Sequence, residues 1–137
     1  MTKPKLVVFD LNKTLIHENS WQVLNSAMGV TDIEDAMLVQ WGKEGIISDA
    51  QGQAILCEIY RQRATPLRAE IRRVLQSYTY LPQAQQTITR LHELGYKIAL
   101  ISGSMDILVE HVADELGIEL GASNNTFVFD DNDLLVS

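Results

Sequence analysis

The chain has 137 residues, 46% hydrophobic and 21% charged, which fits one ordinary globular domain and excludes a disordered or fibrous class. With 11 Lys and Arg against 18 Asp and Glu the net charge is −7, the wrong sign for a surface that neutralises nucleic-acid phosphate or an anionic membrane. Cys57 stands alone and excludes an intramolecular disulfide, and no apolar run approaches a membrane span or a signal peptide, so a reducing cytoplasm is the expected home.

Leu6 to Phe9, a β-branched and aromatic run ending at Asp10, predicts a buried parallel strand. Trp21, Leu24 and Met28 share one helical face that Gly29 stops, and Met37 and Trp41 repeat the spacing before Gly42 and Gly45. Ser48 and Gln51 fit a capping box, with Ile55, Leu56, Ile59 and Tyr60 as the stripe behind it. Thr65 and Pro66 open a further helix with Leu67, Ile71, Val74, Leu75 and Tyr78 on one side. Residues 17–79 therefore read as an all-helical insert, flanked by an α/β core made of residues 1–16 and 80–137.

Pro82 opens a helix with Ala84, Ile88, Leu91 and Leu94 inward and Gly95 as its left-handed cap. Lys97 to Ile101 is a second buried strand. Met105, Leu108, Val109, Val112 and Leu116 make the next helix, which Gly117 ends. Strand, helix and strand in this order form a parallel crossover unit. Thr126 to Phe129 and Leu134 to Val136 then read as a hairpin around the polar turn Asp130 to Asp133.

Ligands of open α/β sheets bind beyond the carboxyl ends of the strands, which singles out Asp10 and Ser102. A carboxylate fixed at a strand end is a candidate nucleophile toward phosphorus once a cation offsets its repulsion from the phosphate oxygens; a lone Asp there also serves simply to end a strand. Ser102, followed by Gly103 and Ser104 before a helix, offers a hydroxyl and backbone N–H groups to an anion, although either serine also suits a helix N-cap.

Together, Phe9-Asp10-Leu11-Asn12-Lys13-Thr14-Leu15 and Leu100-Ile101-Ser102-Gly103 resemble the first and second motifs of the haloacid dehalogenase superfamily of phosphohydrolases. The helical stretch between them is similar to the small cap of its phosphoserine phosphatase branch. The resemblance implies a Rossmann-like parallel sheet, present here as an incomplete core, with an inserted helical cap, and a Mg²⁺-dependent phosphatase acting on a small phosphorylated metabolite. It implies that Asp10 is the nucleophile and a Mg²⁺ ligand, with the backbone carbonyl of Asn12 as a second ligand. Ser102 and Gly103 would hold the phosphoryl group, and Thr14 would brace the loop.

Two departures accompany the likeness. Asn12 occupies the position of the family's acid/base aspartate, and an amide neither gives nor takes that proton, a loss of roughly 10² to 10⁴ in rate. The family's third motif needs a basic residue, yet residues 98–137 carry no Lys or Arg and 8 acidic residues. The chain thus reads as truncated before the third and fourth motifs, inactive as it stands, and prone to dimerise through an exposed sheet edge. A non-catalytic phosphate-binding or regulatory relative is the alternative; a signalling receiver domain fits less well, lacking an acidic pair after the first strand.

Other signals have ordinary readings. His17, His92 and His111 lack zinc spacing. Arg61, Arg63, Arg68, Arg72 and Arg73 have Glu58 and Glu70 beside them for ion pairing. Trp21 and Trp41 suit a cap core, and the Asp130 to Asp133 stretch suits a solvated turn. Glu18 lies one residue short of the cap glutamate that contacts the substrate amine in the phosphoserine branch, and Asn19 fills the matching place.

Overall fold

The parallel pairing of β1 (Leu6–Phe9) with β2 (Lys97–Met105) organises the α/β part of the computed structural model, which describes residues 5–137. Leu6 faces Lys97 and Phe9 faces Leu100, so β1 ends before Asp10, beside Ile101, while β2 runs on against β3. β3 (Leu120–Asn125) pairs in parallel on the far side of β2, giving the order β1-β2-β3. Between β2 and β3 runs α6 (Asp106–Leu116), ended by Gly117 in the left-handed region at φ 66°. A residue with a Cβ is disfavoured in that conformation, which is why a glycine stands there. Before β2 comes α5 (Ala84–Glu93).

One compact unit comprises the chain up to Ser20 together with Gln76–Thr126. Its core is built from Ile98, Ala99 and Leu100 of β2, Leu108, Val109 and Val112 of α6, and Ile88 of α5. The ends of the helical insert join here as an antiparallel ribbon: the Leu81 N–H donates to Leu15 O, the His17 N–H donates to Thr79 O, and Ile16 bridges Tyr80. Glu18 closes the ribbon by accepting from both the backbone N–H and the hydroxyl of Thr79.

A second unit comprises Trp21–Leu75 and Phe127–Ser137. It contains most of α1 (Ser20–Ala27), then α2 (Asp32–Lys43), α3 (Asp49–Arg63) and α4 (Arg68–Leu75). Thr31 with Glu34 and Ser48 with Gln51 form reciprocal capping boxes, each satisfying otherwise orphaned N–H groups at a helix start. Leu24, Met28, Cys57, Tyr60, Ile71 and Leu75 fill the interior. There the Tyr60 hydroxyl donates to Asn25 Oδ1, whose amide in turn donates to Asp35. Burial pushes the Tyr60 phenol and the Cys57 thiol up.

Several expectations change on contact with the structure. β1 is not buried on both faces: Leu6 is 62% and Val8 54% exposed, and Ile101 on the same face of the central strand β2 is 50% exposed, so this face of the sheet is partly uncovered among the described residues. β2 extends to Met105 rather than Ile101, with its register to β3 shifting between Ser102 and Met105, and α6 starts at Asp106. α2 buries none of its residues, so Met37 and Trp41 form no core stripe, and Leu94 is exposed. Residues 127–137 form the expected hairpin contacts, with Phe129 bridging Leu135, and they belong to the unit that holds the helical insert. Arg68 explains this: its N–H donates to Asp133 O, its guanidinium pairs with Asp133 Oδ1 at 3.1 Å and lies over the Phe129 ring, and Leu67 bridges Leu134.

Candidate active site

The strand register brings the two motifs together. Asp10 is the first residue past β1, and Ser102 lies two residues past the β1 partner Leu100 on the adjacent strand, so both stand at the same carboxyl edge of neighbouring parallel strands. Adjacent strands are about 4.8 Å apart. Asp10 is exposed, and its carboxylate has no hydrogen-bond or ion-pair partner among the described residues.

The loop after Asp10 is held from inside. Leu11, Leu15 and Ile16 are buried, and the N–H groups of Thr14, Leu15 and Ile16 all converge on Leu11 O. Lys13 takes the left-handed conformation at φ 57°, which turns the chain sharply between two buried anchors. Thr14 joins the turn through its backbone N–H while the residue itself is exposed. Asn12 is half-buried, and its Oδ1 accepts the Ser20 N–H at 3.0 Å.

Ser102 is buried at 6% exposure, and its Oγ accepts the Ser104 N–H at 3.0 Å. A serine hydroxyl that accepts at its oxygen keeps its own proton to donate elsewhere. The carbonyls at the end of β2 point toward β3: Asn125 Nδ2 donates to Gly103 O at 2.6 Å, and the Ser123 hydroxyl donates to Ser104 O. Neither serine caps α6, because its N-cap is Met105, which has no side-chain cap bond, and Asp106 Oδ1 instead accepts from Ile107 N. The Ser20 and Ser104 hydroxyl oxygens lie 2.6 Å apart, a contact that no local motif in the sequence signals.

The remaining candidates have ordinary roles. Asp130 Oδ1 accepts from the N–H groups of Asn132 and Leu134, so this carboxylate closes the hairpin turn. No group of three or more His, Cys, Asp or Glu suited to a metal occurs among the described residues. Arg61, Arg63, Arg68 and Arg73 pair with Glu58, Glu34, Asp133 and Glu70. His92 pairs with Glu119 and His111 with Glu115. Trp21 meets the Phe127 ring edge-on within the helical unit. Although desolvation pushes the Glu18 carboxyl up, the Thr79 hydrogen bonds outweigh it and hold the group below the usual range. No helix among the described residues is long and apolar enough to cross a membrane.

Comparison with known proteins places this arrangement. A family model described as haloacid dehalogenase-like hydrolase matches residues 7–134. A phosphoserine phosphatase of Methanocaldococcus jannaschii is 26% identical over 132 residues, covering 93% of this chain and 59% of that protein. A phosphoserine phosphatase of Bos taurus is 31% identical over 127 residues, covering 88% of this chain and 51% of that protein. The chain thus spans little more than half the length of these curated relatives. Among solved structures, a HAD family hydrolase from Salmonella enterica serovar Typhi superposes with a TM-score of 0.80 at 21% identity, over 97% of this chain and 44% of that one. A substrate-bound phosphoserine phosphatase complex superposes at 0.77 and 22% identity, over 98% and 61%. These likenesses fix the fold as a Rossmann-like α/β sheet.

Proposed function

Since the chain belongs to the haloacid dehalogenase-like hydrolase family, we propose that its strand-end site binds the phosphoryl group of a small phosphomonoester, with Asp10 as nucleophile and Ser102 as phosphate ligand. The observation that carries this reading is the register that sets Asp10 and Ser102 at one edge of adjacent strands. An Asp10 oxygen would bond to phosphorus as the ester P–O bond breaks, and the departing alkoxide would need a proton; water would then hydrolyse the aspartyl phosphate. The free hydroxyl proton of Ser102 and the backbone of Gly103 would hold the phosphoryl oxygens through the transfer. Thr14 would steady the loop.

Mg²⁺ fits the donor chemistry present. The unpartnered Asp10 carboxylate and the backbone carbonyl of Asn12 are hard oxygen donors, and Mg²⁺ is commonly held by one or two carboxylates, with phosphate oxygens and water completing its shell. When bound it would offset the charge repulsion between carboxylate and phosphate.

Asn12 would suppress turnover, because its amide cannot protonate the departing alkoxide, and residues 98–137 offer no cation for the transferring group. The 137-residue chain is accordingly expected to be inactive. A second reading, a non-catalytic phosphate-binding protein, is favoured by the same residue, since an amide at position 12 leaves phosphate binding possible without a general acid. The substrate is proposed no more finely than a small phosphomonoester, since Glu18 is engaged by Thr79. A cytoplasmic setting accords with the single buried Cys57, and a homodimer through the open edge of β1 accords with its exposed Leu6 and Val8.

The test is hydrolysis of p-nitrophenyl phosphate, with and without Mg²⁺, by the wild-type chain, Asn12→Asp and Asp10→Asn/Asn12→Asp. The disabled-phosphatase reading expects background turnover from wild type, a gain of about 10²-fold in Asn12→Asp, and its loss in the double variant. Equal background rates in all three would favour the binding reading. A gain that survives loss of Asp10 would overturn the nucleophile assignment.

A further inference from the structure

Two buried serines outside the family motifs join the two halves of the site. Ser20 is 2% exposed and Ser104 is fully buried, and their hydroxyl oxygens lie 2.6 Å apart across 84 residues of sequence. From Ser20 the path continues through its N–H to Asn12 Oδ1, on the loop that follows Asp10. From Ser104 it continues through its N–H to Ser102 Oγ. Either hydroxyl can donate in this contact, and Ser104 Oγ also lies 3.1 Å from Met105 Sδ, so with Ser20 as donor the Ser104 proton has the sulfur as its acceptor. The Ser104 carbonyl is fixed in turn by the Ser123 hydroxyl.

We propose that Ser20 and Ser104 are positioning residues, a strut that fixes the Asn12 loop against the end of β2 at Ser102 so that the phosphate site is formed before a ligand arrives. The proposal rests on the phosphate-site reading above. The strut also fixes proton direction at Ser102: with the Ser104 N–H donating to its oxygen, its own O–H is the group left to meet an anion, polarised by the bond it accepts. Preformed sites bind more tightly because the ordering cost falls before binding rather than during it. A buried hydroxyl pair far apart in sequence sets a distance, which neither strand end does for itself.

The test is titration of inorganic phosphate with Mg²⁺ into the full 137-residue chain by calorimetry, with thermal melting in parallel, for wild type, Ser20→Ala, Ser104→Ala, the double alanine variant and Ser102→Ala. Each single variant is expected to raise the Kd by about tenfold, the scale of one lost hydrogen bond, and the double variant by no more than either alone. The double variant strands no buried hydroxyl and therefore decides the matter if a single variant folds poorly. Wild-type affinity in the folded double variant, whatever its melting temperature, would overturn the strut, as would additive losses. If wild type and Ser102→Ala alike fail to bind phosphate, the site reading falls and the strut with it; if Ser102→Ala alone loses binding, the strut falls and the site stands.

Discussion

Asn12 accepts the Ser20 N–H through its side-chain oxygen, a contact an aspartate in the same place would make equally well. Asn12→Asp is therefore expected to fold without rearrangement, its carboxylate oxygen taking the position of the amide oxygen. Its melting temperature should lie within about 4 °C of wild type, the scale of a surface-level change in a domain of this size. A loss of cooperative melting would show that the amide N–H₂ has a structural duty.

How much of this was legible in the sequence differs between the strand ends and the loops. Asp10, Ser102 and the Gly95 and Gly117 stops were readable because each sits where periodicity breaks, and the glycines take φ 84° and 66° as their positions require. β3 was less readable, since Leu-Gly-Ala-Ser-Asn-Asn has little β propensity and is held as a strand by its pairing with β2. The exposure of α2 escaped because periodicity reports an apolar face without saying that anything covers it. The Ser20 and Ser104 contact and the attachment of the hairpin to Arg68 join residues far apart in sequence, and no local pattern carries such information.

Gly121 supplies a packing test on β3. A Cβ there would meet Ala113 Cβ at 2.9 Å and Val109 O at 3.4 Å, against the buried face of α6. Gly121→Ala should cost about 1–3 kcal/mol in urea unfolding, the range for overpacking, because helix and strand must separate to admit the methyl. An unchanged midpoint would mean that α6 yields without cost.

Glu34 supplies a pH test in the helical unit. Hydrogen bonds from Arg63, at 2.7 and 2.8 Å, hold its carboxyl down at about 2, helped by the Thr31 N–H and the Coulomb attraction of Arg63 and opposed by desolvation. A carboxyl lowered on folding contributes stability above its unfolded value of 4.5, and that contribution is lost as pH falls toward about 2. Glu34→Gln should therefore melt below wild type at pH 7, with the gap closing between pH 4.5 and 2. A gap that persists at pH 2 would show that the Glu34 charge is not its source, since a Gln at this position still closes the capping box as Gln51 does with Ser48.

The open edge of β1 supplies a test of assembly. Leu6 and Val8 present exposed apolar side chains on a strand with one neighbour among the described residues, the kind of edge that pairs with a second copy. Light scattering should give a dimer mass, and Val8→Lys should shift it to the monomer. A wild-type monomer at all concentrations would remove the edge as an interface.

The central claim is that Asp10 and Ser102 form one phosphate site, and phosphorus NMR of inorganic phosphate titrated with the chain and Mg²⁺ tests it most directly. Saturable broadening or shift of the signal is expected with wild type and its loss with Ser102→Ala, whereas Asp130→Asn, in the hairpin turn, should bind as wild type does. Binding that persists unchanged in Ser102→Ala, or no saturable binding by wild type, would contradict it.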